Sequence, residues 1–322
     1  MFRPAPIVAV LLALLIPFAF MQGISTNFLM LLASRFLIVL FYSVGVPSRP
    51  LLFQQWAAPR QFASINAVGL SLHSLITALA VSATPLLIGA VGSWRAAYFL
   101  QAGLMLIHLL VWMVVARDSK AAIPDMDGLL KSSQKPPFGA KLRYRHGWHM
   151  GFAMFSLAAT WTSIVTFLPT ILQEDRGIAV SSSALLMGFM YYALIPGSLL
   201  GGFVNRRVPN RKTLLAVPVL VSAAMAVLAT ITSNSILLAV FLTGIGLAWV
   251  AVPAIEMLPF ELPGIHPREV AVVFVMYVTL FGLGFAVGPV IVCIVAQVSG
   301  SAQTGLIVFN GLTGPGALAG VY

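Results

Sequence analysis

Charge is what this 322-residue sequence has least of: 8% of its residues are Asp, Glu, Lys or Arg, against about a quarter in a soluble domain. So few ionic groups cannot coat a water-facing surface, which excludes an ordinary soluble globule. Disorder is excluded too, because a disordered chain is polar and charge-rich. The single cysteine, Cys293, rules out a disulfide scaffold. There is no H-E-x-x-H, no phosphate-binding G-x-x-x-x-G-K-[ST], no G-x-S-x-G and no C-x-x-C, so hydrolytic, ATP-driven and thiol-redox chemistry find no motif here. What the chain has instead is apolar residues, 60% of the total. The solvent for most of it is lipid.

A bilayer core needs about 20 apolar residues per helical crossing. Ten such runs are present: 6–22, 28–46, 65–91, 96–116, 149–172, 183–204, 213–232, 236–254, 270–297 and 303–322. They are continuously apolar rather than alternating, which argues against an outer-membrane barrel. Met1-Phe2-Arg3 ahead of the first run has the look of a signal peptide, but no small-x-small cleavage site follows.

The net charge of +10 signals nucleic acid only when the basic residues share one folded face. Here they sit in the gaps between spans, where they report orientation. With the first end in the cytoplasm, the inner gaps hold Arg3, Arg49, Arg60, the seven basic residues from Arg117 to Arg145, Arg206, Arg207, Arg211, Lys212 and Arg268. The outer gaps hold only Arg95 and Arg176, and Arg35 lies inside a span. Ten spans with both termini cytoplasmic is the topology this asymmetry supports. The longest gap splits the spans four and six, giving a first helical bundle at 1–117, a cytoplasmic linker at 118–147 and a second bundle at 148–322.

The two parts resemble each other at a shift of about 206–208 residues. Thr26-Asn27 meets Ser233-Asn234, Val46-Pro47 meets Val252-Pro253, Ala58-Pro59-Arg60 meets His266-Pro267-Arg268, and Arg3 meets Arg211. In this register the earlier part lacks an equivalent of about two spans at its front, and the last span is cut short.

Several stretches resemble motifs of the major facilitator superfamily of secondary transporters. Gly201-Gly202-Phe203-Val204-Asn205-Arg206-Arg207 running to Arg211-Lys212 is similar to its G-x-x-x-D-R-x-G-R-R loop, with Asn205 where the family has Asp. Ala33-Ser34-Arg35-Phe36-Leu37 resembles the a-R-F-l opening of the fourth helix. Ala83-Thr84-Pro85 with Gly89, and Gly284 through Gly288-Pro289, resemble its glycine–proline motif. Gly92-Ser93-Trp94-Arg95 resembles the entry to its sixth helix. The resemblance implies an all-α membrane protein of two helical bundles that exposes a midplane site alternately to either side. It also implies that spans two, five and eight are central to the pathway, flanked by three, six and nine.

Candidate site residues follow. Arg35 and His73 are ionisable within spans, where such groups are costly and functional by default; interfacial snorkelling and ordinary packing are the alternatives. His108 lies on a span that the resemblance makes peripheral. Trp161, Thr162, Thr166, Tyr191, Tyr192 and Trp249 offer indole, phenol and hydroxyl groups to a small solute, or serve as packing. Gating and motif positions are Gly201, Gly202, Asn205, Arg206, Arg211, Lys212, Pro85, Gly284, Gly288, Pro289 and Glu256, the last expected to meet a loop arginine on the cytoplasmic side. No carboxylate falls in the middle of a span. The expected function is transport of a small organic solute or anion across the inner (plasma) membrane; a proton or counter-ion coupled through His73 or through the absent spans, anion-linked exchange and uniport all stay open. No cofactor, metal or nucleic acid is expected, and the oligomeric state is open. The alternatives are a truncated, non-transporting membrane protein or scaffold derived from such a transporter, and a permease subunit driven by a separate ATPase.

Overall fold

A computed structural model describes every residue except 1–3, 46–47, 49–51, 53–55, 57–60, 117–144, 209, 262–266 and 322. The linker expected at 118–147 lies almost wholly outside the described residues. So do Arg3, Val46-Pro47, Ala58-Pro59-Arg60 and His266 from the repeat matches.

Among the described residues there is no strand; the elements are helices. They are α1 (Pro4–Gly23), α2 (Phe28–Gly45), α3 (Phe62–Val91), α4 (Trp94–Val115), α5 (Arg145–Glu174), α6 (Val180–Arg207), α7 (Arg211–Ile231), α8 (Ser235–Leu247), α9 (Val252–Glu261), α10 (Pro267–Ser299) and α11 (Ala302–Val321). Eight of these, α1 to α7 and α10, are long and apolar enough to cross a bilayer. In lipid a helix satisfies all its own backbone groups, which is why apolar sequence of this length takes that form.

The span expected at 236–254 is not one helix. A 3₁₀ turn, Ala248–Ala251, separates α8 from α9. Pro253 has no N–H to give the carbonyl of Trp249 four residues back. The Val252 N–H bonds that carbonyl instead, three residues back, which tightens the turn.

Helix ends repeat along the chain. Asn27 Oδ1 accepts the Met30 N–H at 2.8 Å, and Asn234 Oδ1 accepts those of Ile236 and Leu237 at 2.9 and 3.2 Å. These are side-chain caps that satisfy orphan donors at the starts of α2 and α8. Gly92 and Gly300 both stand at φ 71° just past α3 and α10, the left-handed position that closes a helix and favours glycine. Asn27 to Asn234 and Gly92 to Gly300 are shifts of 207 and 208 residues, the register read from the sequence.

The chain divides into two compact units. One holds Met1–Phe62 and Ala83–Ser132, the other Ala63–Ser82 and Ser133–Tyr322. In the first, α1 packs on α2 and α4 around Leu15, Ala19, Ile38 and Ala102. The end of this unit at the α1–α2 turn is tied by Arg95, whose guanidinium donates to the Ser25 carbonyl at 3.1 Å and stacks over Trp94.

The second unit has the larger core, with Ile164, Leu168, Met190, Leu242, Ile245 and Leu306 fully or almost fully buried. Glycines set its helix spacing. A Cβ on Gly288 would stand 2.6 Å from the Ala159 carbonyl of α5, and one on Gly284 would strike that of Phe155. Another on Gly201 would stand 2.5 Å from the Val250 carbonyl, while one on Gly246 would strike that of Met190.

Arg176 donates to the carbonyls of Thr230 and Thr232 at the end of α7, and Gln303 Nε2 reaches Thr230 O as well at 3.3 Å. Burial pushes the Arg176 pKa down and neighbouring Asp175 pushes it up. The cation sits at the negative end of the α7 dipole. Arg176→Ala is expected to cost about 1–3 kcal/mol by removing the donor to Thr232 O and leaving Thr230 O to Gln303 alone. A detergent melt in which Arg176→Ala matches the parent would refute that assignment.

Candidate functional site

The helix break at 248–251 carries Trp249 into a chain of aromatic rings within the second unit. Trp161 on α5 lies 4.9 Å from Trp249, ring to ring, and 5.1 Å from Tyr191 on α6. Trp249 in turn meets Phe281 on α10 at 5.9 Å, and Phe281 meets Phe285 at 4.7 Å. All four contacts are edge-to-face, the geometry that aligns positive ring edges with negative faces. Three elements of the bundle and the broken turn thus converge on one aromatic surface.

Within that surface the Trp249 indole N–H is buried and has no hydrogen-bond partner among the described residues. A buried donor left unpaired costs about 1–3 kcal/mol. Such a group is therefore either a defect or a donor kept open for a ligand.

Trp161, Tyr191 and Trp249 are brought together. The other sequence candidates are not. Tyr192 points to a different face from its neighbour: its hydroxyl sits 3.0 Å from Ser82 Oγ on α3. Thr162 donates to its own helix, to Ala158 O at 2.7 Å, and Thr166 is exposed on α5 outside the ring contacts. Phe281 and Phe285 were missed. Their four-residue spacing on one helix face was visible, yet nothing separated them from the other phenylalanines. Tyr192→Phe is expected to weaken α3–α6 docking by about 1 kcal/mol, read as a lowered melting temperature. No change would show that the hydroxyl contact is incidental.

Glu256 lies half-buried on α9 and accepts from the amide of buried Asn66 on α3 at 2.8 Å. Asn66 had not been singled out in the sequence. His73 is exposed on α3, and its carbonyl accepts the Thr77 hydroxyl at 2.8 Å. Pro85 is exposed within α3 and Pro289 half-buried within α10, each denying its helix one backbone bond. Gly201, Gly284 and Gly288 sit at the close approaches given above. Gly202, Asn205 and Arg206 belong to the last turns of α6, and Arg211 opens α7; their side chains lie outside the described set. Lys212 donates its N–H to the Asn210 cap at 3.0 Å.

Arg35 is in the first unit. It is exposed on α2, seven residues into a helix of 18, with no partner among the described residues. An unpaired guanidinium at that depth is expensive against lipid. Gln22 on α1, absent from the sequence candidates, is fully buried, with both amide atoms unpartnered among the described residues. Among the described residues no three His, Cys, Asp or Glu side chains gather as a metal site.

Long apolar helices, an internal register and glycine-spaced packing define a multi-pass integral membrane protein. The chain belongs to the Major Facilitator Superfamily, whose family model matches residues 3–317. That makes it a plasma-membrane protein of a transporter family rather than an enzyme family. It is 26% identical over 207 residues to the D-galactonate transporter of Escherichia coli, covering 57% of this chain and 47% of that protein. The chain thus spans about half the length of the curated relative it matches. Its fold is similar to a bacterial homologue of the human lysosomal transporter Spinster in an inward-facing, occupied conformation (TM-score 0.63, 14% identity, 98% of this chain and 79% of that one). It is likewise similar to the E. coli fucose:proton symporter (TM-score 0.66, 14% identity, 98% and 82%).

Proposed function

We propose that this protein is a secondary transporter that carries a small organic anion, of the hydroxylated-acid kind, across the plasma membrane by alternating access. Proton or counter-ion flow drives it. The observation that carries the reading is the aromatic surface of Trp161, Tyr191, Trp249 and Phe281 with its unspent indole donor. An apolar ring surface with one buried N–H suits a solute that presents C–H faces and an oxygen acceptor. The relationship to a D-galactonate transporter supports an acid of that class.

Arg35, on its own unit, is the candidate cation of the pathway for an anionic solute. The halves of the working transporter are 1–117 and 148–322, joined by a cytoplasmic linker, with both termini cytoplasmic. Asn66–Glu256 and the basic cluster at Arg206–Lys212 lie at the inner ends of their helices, where closure on that side would engage them.

The test is uptake of labelled D-galactonate into proteoliposomes under an imposed proton gradient. Saturable uptake that collapses with the gradient is expected, together with loss of uptake in Arg35→Ala and partial recovery in Arg35→Lys. Absence of gradient-dependent flux for D-galactonate and for a panel of small organic anions would sink the proposal.

A further inference from the structure

Four polar side chains lie along α2: Ser34, Arg35, Tyr42 and Ser43. Two of them are spent inside the helix. Ser34 donates to the Leu31 carbonyl at 2.8 Å and Ser43 to that of Val39 at 2.7 Å. The Arg35 guanidinium and the Tyr42 phenol have no partner among the described residues, and Tyr42 is 62% exposed.

These two groups share a direction. Seven residues at 3.6 per turn return to within about 20° of the starting angle, so both stand on one shoulder of the helix, about 10 Å apart along its axis. The side that faces α1 lies next to this shoulder. Ser34 and Ile38 are buried there, Phe41 stacks on Phe18, and a Cβ on Gly45 would stand 3.2 Å from Leu11. The shoulder across that contact carries Ala33, Leu37, Leu40 and Val44 and is apolar throughout.

Lipid receives the two shoulders differently. An apolar one is at home in it, whereas an unpaired guanidinium and an unpaired phenol are costly there. Snorkelling would carry Arg35 toward the Phe28 end, and an interfacial belt would hold Tyr42 near the Gly45 end. Those are separate explanations for opposite ends of one helix, and neither sets the two groups in line. A single polar pathway along the shoulder accounts for both.

We propose that Tyr42 is a second solute-binding residue, paired with Arg35 across two turns of α2, and that it sets the preference for a hydroxylated acid. This rests on the transport reading above and adds the feature of the solute that each group takes. The guanidinium offers paired, planar donors to a carboxylate. The phenol exchanges a hydrogen bond with a hydroxyl. Their separation along the axis requires that hydroxyl to lie several carbons from the carboxylate, so a short acid without it fills only the Arg35 end.

Tyr42→Phe removes the hydroxyl and keeps the ring. In proteoliposomes the variant is expected to show a KM for D-galactonate raised about tenfold with kcat near the parent. Inhibition by hexanoate, an acid without hydroxyls, is expected to stay unchanged. A parental KM, or hexanoate inhibition that weakens in step, overturns the inference. The second reading uses Tyr42→Cys and Leu40→Cys on a Cys293→Ser background with a membrane-impermeant methanethiosulfonate. Position 42 is expected to react, and D-galactonate to slow the reaction, while position 40 on the apolar shoulder stays unmodified. Equal reactivity at the two positions, or a reaction at 42 that D-galactonate leaves unslowed, counts against it. Flux in the parent with no effect at Tyr42 defeats this inference alone; no anion flux in the parent defeats the proposed function.

Discussion

Gly284→Val is expected to destabilise the second unit strongly, while Gly282→Val two residues away leaves it near the parent. The two glycines share a helix, a depth and a chemistry. They differ in what a side chain would meet: the Phe155 carbonyl at Gly284, and nothing within 4 Å at Gly282. A backbone carbonyl inside a helix cannot turn aside, so α5 and α10 must separate along their length. Overpacking of this kind costs about 1–3 kcal/mol and occasionally more, from a total of about 5–15 kcal/mol. Here the strained contact also props apart Gly288, whose Cβ position has only 2.6 Å of clearance to Ala159 O. Fluorescence-detected size exclusion after detergent extraction reads the outcome. A monodisperse Gly284→Val protein with parental thermal stability would show that the helices are not packed as described. Changes at Gly282 are expected to stay within about 0.5 kcal/mol.

Trp249→Phe carries the second large effect, and its signature is an opposition between stability and binding. The phenyl ring keeps the edge-to-face contacts with Trp161 and Phe281 but removes the indole N–H, which has no protein partner. If that donor is held open for solute, deleting it relieves an unpaired buried group in the empty protein and removes a bond in the loaded one. Thermal stability of the empty protein is then expected to hold or rise. Affinity for D-galactonate is expected to fall about tenfold, equivalent to about 1.4 kcal/mol. Trp161→Phe, which keeps a ring in the middle of the cluster, is expected to change affinity less. Equal loss of stability and affinity in Trp249→Phe would mean that the indole serves packing and that the donor has no ligand role.

The resemblance to a transporter family was legible because its signals are positional and chemical. Arg35, Gly201 to Lys212 and Gly284 to Pro289 stand in order along the chain and need no knowledge of facing. The contact between Glu256 and Asn66 was not legible. It joins residues 190 apart, and an asparagine near the end of an apolar helix carries no mark of its partner. Tyr191 and Tyr192 show the same limit at closest range. Adjacent residues on a helix point about 100° apart, so one tyrosine joined Trp161 and the other joined Ser82.

That the chain is made of long apolar helices, how the gaps between them are charged and where the chain repeats itself were determined by the sequence alone. Lipid demands long apolar helices, orientation is set by lysine and arginine, and caps such as Asn27 and Asn234 are local. Only the tertiary structure decided which face of each helix turns inward, that span eight breaks at Trp249, and that Phe281 and Phe285 complete a ring cluster. The reason is physical. A helix that is apolar on every side, in a solvent as apolar as its own core, has no hydrophobic face to declare. Its orientation is settled instead by shape, by which glycine admits which carbonyl and which ring edge finds which ring face.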